Sequence, residues 1–496
     1  MGEERKAKCC LEYVKSCQKE TKILINGAKN AHIDILSKKL CDPKTGQKEF
    51  WGAYKRIVNK KKNTNIPPIL ENGHFVTDFS DKAKIFNHYF AVQCRPLDIH
   101  SNLPALSKKC NNSLENIIFN SEMIVSIIKK LNAKKAHGVD GISIKMLQIC
   151  PNEVSLPLSI IFKKCIDSGI FPSKWKLANV QPVHKKGSRQ VKNNYRPISL
   201  LPVCSKIFEK LIFDNIYKFL TENKLISHNQ SGFRPGDSTI NQLLSITTEI
   251  YEAFENSAEV RAAFLDISKA FDKVWHEGLL FKLKMNGIDG TLLTLMENYL
   301  TGRYQRVVLN GLESNWEQIF SGVPQGSVLG PLLFLIYIND LTDGIISNIK
   351  LFADDSSLFA RVYDINETHS QIMGDLTTIT KWANQWKMKF TPDISKQAIE
   401  IIFSQKYKKP IHPPLVFNDI PVAREGSTKH LGMILDDHLT FRKHVKEAIE
   451  NANKGISLMK YLSKYVDRKT LDQTYKMYVR PRLDYGDVIF MASLSI

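Results

Sequence analysis

The sequence predicts an α+β fold with several structural units, and three observations support this. The chain has 496 residues, enough for about two to four units of ordinary size. Hydrophobic residues make up 43% and charged residues 24%, which is typical of proteins that bury a core. Between about residue 121 and residue 435, helical patterns alternate with short apolar strands. A wholly disordered or collagen-like chain is therefore excluded.

Residues 1–120 are predicted to form a helical N-terminal extension that ends in a linker. Residues 1–65 are rich in lysine and show helical patterning, and a further helix is predicted over residues 78–90. The apolar positions of that helix are Phe79, Ala83, Phe86 and Phe90. Pro, Ser and Asn punctuate residues 91–113, as expected of a linker.

The charge distribution favours contact with a polyanion. The whole chain has a net charge of +19, and residues 1–110 hold 21 basic and 11 acidic side chains, a net of +10. Basic surfaces attract polyanions, and nucleic acid is the commonest one inside cells. The alternative is a charged surface that serves solubility alone.

Other features of the sequence predict an intracellular protein without a membrane span. The longest apolar run, Val328–Ile338, is far shorter than the ~20 residues of a spanning helix. No apolar stretch follows the charged N-terminus, so a secretory signal is not expected. The nine cysteines include no C-x-x-C pair, which favours reduced thiols over disulfides or a zinc ribbon. Lys60–Lys62 is too short a basic run to decide between nucleus and cytoplasm.

Short strands and helices are predicted in order through the middle and the end of the chain. The predicted strands are Asn179–Val183, Arg261–Ile267, Gln305–Leu309, Ile349–Phe352, Ser357–Val362 and Ala398–Phe403. A helix is predicted over Val328–Asn339, opened by Gln325 and Gly326. The tail from Phe441 to Arg480 is again helical, with a break near Tyr465–Asp467.

Three carboxylates stand out because of where they lie in these strands. Asp266 ends an apolar strand, where a lone buried charge costs several kcal/mol. Asp354 and Asp355 lie between two apolar strands, which predicts a β-hairpin with acids at its turn. Adjacent like charges repel unless a cation lies nearby, and carboxylate oxygens suit Mg²⁺. Acids from neighbouring strands fit two-metal phosphoryl transfer. A simple polar turn is the alternative for the Asp354–Asp355 pair.

Sequence blocks around these acids resemble one known family in its own order. The blocks are Asn132–Gly141, Trp175–Ala178 with His184–Gly187, Tyr195–Leu200, Ser231–Arg234, Phe264–Asp272, Ser321–Pro331, Phe352–Asp355 and Lys429–Gly432. Together they resemble the reverse transcriptase of non-LTR (LINE-type) retrotransposons, in particular the Jockey-like group. The likeness covers roughly residues 120–490, and blocks in this order are far more specific than Phe-Ala-Asp-Asp alone.

The resemblance implies a right-hand polymerase fold with fingers, a palm with an antiparallel sheet, and a helical thumb. The reverse transcriptase domain, fingers and palm, is expected over residues 121–436, and a truncated thumb over residues 437–496. The family's N-terminal endonuclease and an RNase H block are not recognisable, and relatives continue beyond Ile496. The resemblance therefore suggests an endonuclease or an element-encoded RNA-binding protein as a partner in trans.

The resemblance also implies roles for individual residues in catalysis. Asp266, Asp354 and Asp355 match the family's metal-binding triad, which holds two Mg²⁺ ions, with Mn²⁺ as a substitute. Lys396 falls where the family has a lysine proposed to protonate pyrophosphate. Thr391 replaces an asparagine that is more usual in relatives.

Further positions match the family's contacts with the incoming deoxyribonucleotide (dNTP). Phe271 matches the aromatic residue that blocks a 2′-hydroxyl, and ordinary core packing is its alternative. Arg196 matches the fingers arginine on the triphosphate, and its planar fork suits phosphate oxygens. Spacing does not decide whether Lys185 or Lys186 is the companion lysine, and a solvated basic turn is the alternative for both. Gln325 and Gly326 match the turn against the nucleotide and template, where glycine permits close backbone approach.

The predicted function is RNA-directed DNA polymerisation, with an RNA template, a DNA primer and dNTPs as partners. The alternative is a decayed or domesticated copy that binds RNA without catalysis. A viral RNA-dependent RNA polymerase fits less well, because such enzymes usually have glycine at the position of Ala353 and lack an aromatic gate like Phe271.

Overall fold

The computed structural model describes residues 2–42, 45–57, 66–95, 102–391, 397–407 and 410–491. It consists of two compact units. The larger unit comprises residues 66–431, and the smaller unit comprises residues 1–65 together with residues 432–496. Helices and strands are both present, so the predicted mixed composition is confirmed. The boundaries predicted for the extension, the polymerase domain and the thumb stay predictions.

The described elements are numbered here in chain order. The helices are α1 (Gly2–Cys41), α2 (Gln47–Ile57), α3 (Phe79–Gln93), α4 (Ser121–Lys130), α5 (Ile144–Ile149), α6 (Pro151–Ser168), α7 (Val203–Glu222), α8 (Thr239–Glu255), α9 (His276–Met285), α10 (Gly290–Leu300), α11 (Leu329–Ile338), α12 (Ile365–Gln385), α13 (Arg442–Leu462), α14 (Arg468–Thr474), α15 (Arg480–Leu483) and α16 (Asp487–Phe490). The strands are β1 (Ile69–Glu71), β2 (His74–Val76), β3 (Leu177–His184), β4 (Tyr195–Leu200), β5 (Glu259–Asp266), β6 (Arg303–Leu309), β7 (Leu312–Glu313), β8 (Glu317–Ile319), β9 (Asn348–Phe352), β10 (Asp355–Val362), β11 (Ala398–Phe403), β12 (Val416–Phe417), β13 (Ile420–Pro421), β14 (Ala423–Arg424), β15 (Ser427–His430) and β16 (Met433–Asp436). The six strands predicted from the sequence are all present, as β3, β5, β6, β9, β10 and β11.

The central sheet of the larger unit has the strand order β14-β11-β5-β10-β9. Strand β5 pairs antiparallel with both β10 and β11, and β9 and β10 form an antiparallel hairpin. Every residue of β5 is buried except Asp266, its last. Since both neighbours and helix α8 cover this strand, its apolar residues form core while its end reaches the surface.

A second sheet has the order β4-β3-β6-β7, with β8 also paired to β6. Helix α3 packs on this sheet through the predicted apolar face, burying Ala83, Phe86 and Phe90. Asp78 caps the start of the helix, because its side chain accepts a hydrogen bond from the amide of Asp81. The helix predicted over residues 78–90 is therefore confirmed, and it shares a core with β3, β4 and β6.

Helix α11 lies inside the main hydrophobic core of the larger unit. Nine of its ten residues are buried, as expected of a helix that is apolar on all sides. It contacts α7 and α9. Because α11 is buried on nearly all sides, its packing restrains the position of its ends. The turn that precedes it contains Gln325 and Gly326.

The smaller unit is largely helical. Its core comprises Leu36, Leu40, Phe50, Ala53, Tyr54, Ile57 and Leu462. The predicted break in the C-terminal helix is confirmed, because α13 ends at Leu462 and Asp467 caps the next helix by accepting from the amide of Thr470. Among the described residues, no helix combines the length and the apolarity that crossing a membrane requires.

Candidate active site

The predicted hairpin with acids at its turn is confirmed, and it lies beside the third acid. Asp354 occupies the turn between β9 and β10, and Asp355 begins β10. In the pairing of β10 with β5, Asp355 stands directly opposite Asp266. Opposite residues of antiparallel strands have Cα atoms roughly 4.5–5.5 Å apart. The three carboxylates are therefore gathered at one end of the central sheet.

The electrostatics of this end favour a bound cation. Burial raises the pKa of Asp354, and the charge of Asp266 raises it further. Burial and then the charges of Asp354 and Asp266 raise the pKa of Asp355 to about 6, although its side chain is open to solvent on one side. Lys185 and Arg196 oppose these shifts from a distance. No ion pair within 4 Å neutralises the three acids in the part of the chain that is described.

The donor set fits a metal that substrate helps to hold. No group of three His, Cys, Asp or Glu side chains among the described residues is placed so that it could hold a metal ion by itself. Mg²⁺, however, typically takes one or two protein carboxylates and completes its shell with water and substrate phosphates. Asp266 is fixed for such a role, since Thr391 Oγ1 donates to its Oδ2 at 2.5 Å and the Thr391 amide donates to its carbonyl at 2.9 Å.

A cavity of about 490 Å³ opens beside these acids. Among its lining residues are seven of the predicted site residues: Lys185, Arg196, Asp266, Phe271, Gln325, Gly326 and Asp354. Asp355 lies next to the lining, on the adjoining strand position. Of the two lysines that the sequence left open, Lys185 lines the cavity, and its charge lowers the pKa of Asp354 and Asp355. The geometry therefore favours Lys185 over Lys186.

Phe271 lies on a 3₁₀ turn, Ala270–Lys273, that follows β5. One face of its ring stacks on Phe334 of α11, with centroids 4.8 Å apart and planes 18° apart. The exposed ring of Phe233 meets it edge-on at 5.8 Å. Phe271 is half-buried and lines the cavity, so core packing and contact with a ligand are both compatible with its position.

The Gln325–Gly326 turn is fastened to strand β4. The amide of Ser199 donates to the carbonyl of Gln325 at 2.7 Å. Gly326 has φ +121°, and a Cβ there would stand 2.6 Å from the carbonyl oxygen of Ser199. Only glycine permits this approach to strand β4, whereas the predicted approach of the turn to the nucleotide and template stays a prediction.

A buried carboxylate holds the start of helix α11. Glu209 of α7 is fully buried, and its Oε2 accepts from the amides of Val328 at 2.8 Å and Leu329 at 3.3 Å. Its Oε1 accepts from Ser205 Oγ at 2.8 Å. A negative charge at a helix N-terminus satisfies free amides and the helix dipole. This contact steadies the turn that carries Gln325.

Three residues of the cavity were not predicted as functional. Asp272 is buried, its pKa is raised to about 6 by burial, and its Oδ1 accepts from Gln325 Nε2 at 2.8 Å. Burial lowers the pKa of Lys269 to about 8, and its amine donates to the hydroxyl of Tyr89. Asp272 and Lys269 lie in the block around Asp266 that the sequence revealed. Tyr89 comes from the distant helix α3, and no local signal points to it.

The predicted Lys396 lies outside the described residues, so its role stays a prediction. The residue directly before that gap, Thr391, is the departure noted in the sequence. Through its two hydrogen bonds to Asp266, Thr391 holds the backbone and the carboxylate of that residue in place.

With this geometry, the comparisons with known proteins are decisive about the family. A family model described as reverse transcriptase (RNA-dependent DNA polymerase) matches residues 183–435. The chain belongs to the reverse transcriptase family. Members of this family generally depend on a divalent metal. The match includes Asp266, Asp354 and Asp355.

Curated relatives agree with this membership. The chain is 29% identical over 453 residues to a probable RNA-directed DNA polymerase from transposon X-element of Drosophila melanogaster, covering 88% of the chain and 49% of the relative. It is 31% identical to the corresponding protein of transposon BS (72% and 40%) and 30% identical to that of mobile element jockey (74% and 40%), both from the same species. The chain thus spans half or less of each relative. The predicted likeness to the jockey-like, LINE-type reverse transcriptases is confirmed.

Proposed function

We propose that the chain is an RNA-directed DNA polymerase of a non-LTR retrotransposon. It adds dNTPs to the 3′-hydroxyl of a DNA primer on an RNA template. The observation that carries the proposal is the register of the central sheet, which sets Asp355 opposite Asp266 with Asp354 on the adjoining turn. Acids that form no ion pair among the described residues, in a cavity that Lys185 and Arg196 also line, suit a phosphate-bearing substrate and its metal ions.

Asp266, Asp354 and Asp355 are proposed to hold two Mg²⁺ ions, with Mn²⁺ as a substitute. When bound, such ions lower the pKa of the attacking hydroxyl and neutralise charge on the leaving pyrophosphate. The chain's own contribution is to keep the acids in register. Strand pairing fixes Asp266 against Asp355, and Thr391 fixes the orientation of the Asp266 carboxylate.

Arg196 and Lys185 are proposed to bind the triphosphate of the incoming nucleotide. Arg196 is exposed on β4. Lys185 follows β3, and its backbone amide donates a hydrogen bond to the carbonyl of Asn194 at 2.8 Å. Both residues line the same cavity as Asp266 and Asp354, and the charges of both lower the pKa of Asp354 and Asp355. A triphosphate bound by Arg196 and Lys185 would be oriented with its reacting phosphate toward the acids.

Phe271, Gln325 and Gly326 are proposed to select the sugar and to support the nucleotide. The Phe271 ring stacks on Phe334, a residue of the buried helix α11, so it cannot readily move aside for a 2′-hydroxyl. Asp272 accepts from the Gln325 amide and thereby sets its direction. Lys396 is proposed to protonate the pyrophosphate.

Within a right-hand polymerase fold, we assign the central sheet to the palm and the second sheet to the fingers. Helices α13–α16 are assigned to the thumb, and residues 1–120 to a basic N-terminal extension. The net charge of +19 supports contact with nucleic acid. An endonuclease or an element-encoded RNA-binding protein acting in trans is proposed as a further partner.

Primer extension tests the proposal directly. The purified chain is given a DNA primer annealed to an RNA template, dNTPs, and either Mg²⁺ or EDTA. We expect extension that needs the metal and follows the template sequence. Binding of the primer–template without extension in either Mg²⁺ or Mn²⁺ would instead indicate a decayed copy that serves as an RNA-binding module.

A further inference from the structure

A short segment outside the catalytic strands is bonded along the hairpin that carries Asp354. The amide of Leu351 in β9 donates to the carbonyl of Asn229 at 2.8 Å, and the amide of Ser231 donates to the carbonyl of Leu351 at 2.9 Å. These bonds form a parallel bridge between Gln230 and Leu351. The segment therefore extends the edge of the central sheet beside the turn.

The side chain of Gln230 reaches from this segment into the turn itself. It is 2% exposed. Its Oε1 accepts from the amide of Gly232 at 2.7 Å and from the amide of Ala353 at 3.0 Å. A carbonyl oxygen has two lone pairs, and both are used here. Ala353 directly precedes Asp354 and has φ +56°, a conformation that a residue with a Cβ adopts only when its surroundings hold it.

Close packing makes this contact specific to these residues. A Cβ on Gly232 would stand 2.3 Å from the amide nitrogen of Ala353, so the segment can approach only because residue 232 is glycine. Behind the segment, Arg234 Nη1 donates to the carbonyls of Ser227 at 3.1 Å and Gln230 at 3.2 Å. The loop is thus braced on one side and pressed against the turn on the other.

We propose that Gln230 is a positioning residue for catalysis. It holds Ala353 in its left-handed conformation and so sets where the carboxylates of Asp354 and Asp355 stand relative to Asp266. The inference rests on the proposed function, because it gives those carboxylates their role. Gln230 itself is buried behind the turn and does not line the nucleotide cavity. Nothing in its sequence block alone indicated a contact with Ala353.

Three variants separate this role from general stability. Gln230→Met keeps the length of the side chain but removes the acceptor. Gln230→Glu keeps an acceptor oxygen at the same place. Gln242→Met is the matched control, because Gln242 is also buried, on α8, and its amide atoms have no hydrogen-bond partner among the described residues.

Hydrogen exchange of the amides in residues 349–356, measured by mass spectrometry on the metal-free full chain, reads the turn without catalysis. We expect exchange at least about tenfold faster in Gln230→Met. Exchange close to wild type is expected in Gln242→Met. Exchange between the rates of wild type and Gln230→Met is expected in Gln230→Glu, because this variant keeps the acceptor but buries a negative charge beside the turn. Unchanged exchange in Gln230→Met would overturn the inference.

Steady-state kinetics then measures whether moving the turn that carries Asp354 lowers the rate of catalysis. Misplacement of catalytic groups by about 1 Å costs on the order of 100-fold, so we expect kcat of Gln230→Met to fall by about 10- to 100-fold. The KM for dNTP should change less than about twofold, because the nucleotide contacts lie elsewhere. An equal kcat in Gln230→Met and wild type, or the same kcat loss in Gln242→Met, would overturn the inference. Inactive wild type would instead refute the proposed function, and hydrogen exchange would still decide the role of Gln230.

Discussion

The two ends of strand β5 carry charged residues under opposite conditions. At its beginning, Arg261 donates to Glu400 at 2.6 Å, Arg424 donates to the same carboxylate at 3.0 Å, and His412 lies 3.2 Å from Glu259. The side chains of Arg261, Glu400, Glu259 and His412 are all buried. At its other end, Asp266 meets Asp354 and Asp355 without any ion pair in the described part of the chain.

The contrast separates charges that are paired inside the fold from charges to which the proposed function gives a chemical role. Charges buried with partners are compatible with a stable core, although they contribute little to stability over an apolar substitute. Like charges that are gathered without an ion pair among the described residues cost stability. Burial first, and then the charges of Asp354 and Asp266, raise the pKa of Asp355. Such clusters are typical of sites that bind a cation or substrate. Substitutions at each end separate these two roles, beginning with the largest expected effect.

Asp354→Asn should impair only the acid cluster formed by Asp266, Asp354 and Asp355. We expect nucleotide incorporation to fall by on the order of 1,000-fold or more, because the site loses a metal ligand. Binding of the primer–template should stay nearly intact, since the phosphate contacts lie elsewhere. The melting temperature should hold or rise, because one of three like charges is removed. Extension assays, filter binding and a thermal melt measure the three effects, and comparable extension by variant and wild type would contradict the account.

Glu400→Gln should disrupt only the buried ion pairs at the beginning of β5. It leaves Arg261 buried without a counter-charge, which costs about 3–5 kcal/mol of unfolding free energy. Activity per folded molecule should stay within about twofold of wild type, because the site is at the other end of the strand. Urea unfolding and active-site titration measure these quantities.

The matched control for this variant is Glu252→Gln. Glu252 pairs with Arg361 at the surface, with 56% of its side chain exposed, so we expect a loss of less than about 1 kcal/mol. Equal losses from the buried and the exposed pair would show that burial does not distinguish them.

Phe271→Ala tests whether the Phe271 ring, near the acid cluster, selects the sugar of the nucleotide or only packs the core. We expect ribonucleotide incorporation to rise more than about tenfold relative to deoxyribonucleotide, a difference of ~1.4 kcal/mol or more. Use of deoxyribonucleotides should fall much less, because the ring excludes a group and does not bind one. Competition kinetics with the two sugars, beside a melting curve, measures this. If the variant instead loses ~3–5 kcal/mol of unfolding free energy and the ratio of ribonucleotide to deoxyribonucleotide incorporation is unchanged, Phe271 serves only to pack the core.

Asp272→Asn tests, through its pH dependence, the cost of burying an acid that accepts a hydrogen bond from Gln325 but forms no ion pair within 4 Å among the described residues. Because burial raises the pKa of Asp272 from 3.8 to about 6, the folded protein binds a proton more tightly than the unfolded chain between these values. Unfolding free energy attributable to this group therefore falls as pH rises through that window and is level above it. We expect the stability of Asp272→Asn relative to wild type to increase between about pH 4 and pH 7, by on the order of 2 kcal/mol. A difference that does not vary with pH would contradict the buried, charged assignment.

The sequence predicted the acids and their strands because both are local patterns. An apolar run ending in one carboxylate gives β5 and Asp266, and two such runs flanking Asp354 and Asp355 give the hairpin. The resemblance added Arg196 and Phe271, which line the same cavity. The contacts of Tyr89 with Lys269 and of Gln230 with Ala353 span 180 and 123 residues. Contacts of this kind depend on tertiary packing and leave no periodic signal in the chain.

The acids gathered at the end of β5, which form no ion pair among the described residues, should bind metal ions, whereas the paired charges at its beginning should not. Mn²⁺ titration followed by electron paramagnetic resonance tests it most directly, using the full chain with a dideoxy-terminated primer on an RNA template and the next dNTP. We predict about two bound Mn²⁺ ions per complex for wild type and for Glu400→Gln. We predict at least one fewer, or a much weaker one, for Asp355→Asn. The same number and affinity of ions in Asp355→Asn and wild type would contradict the account.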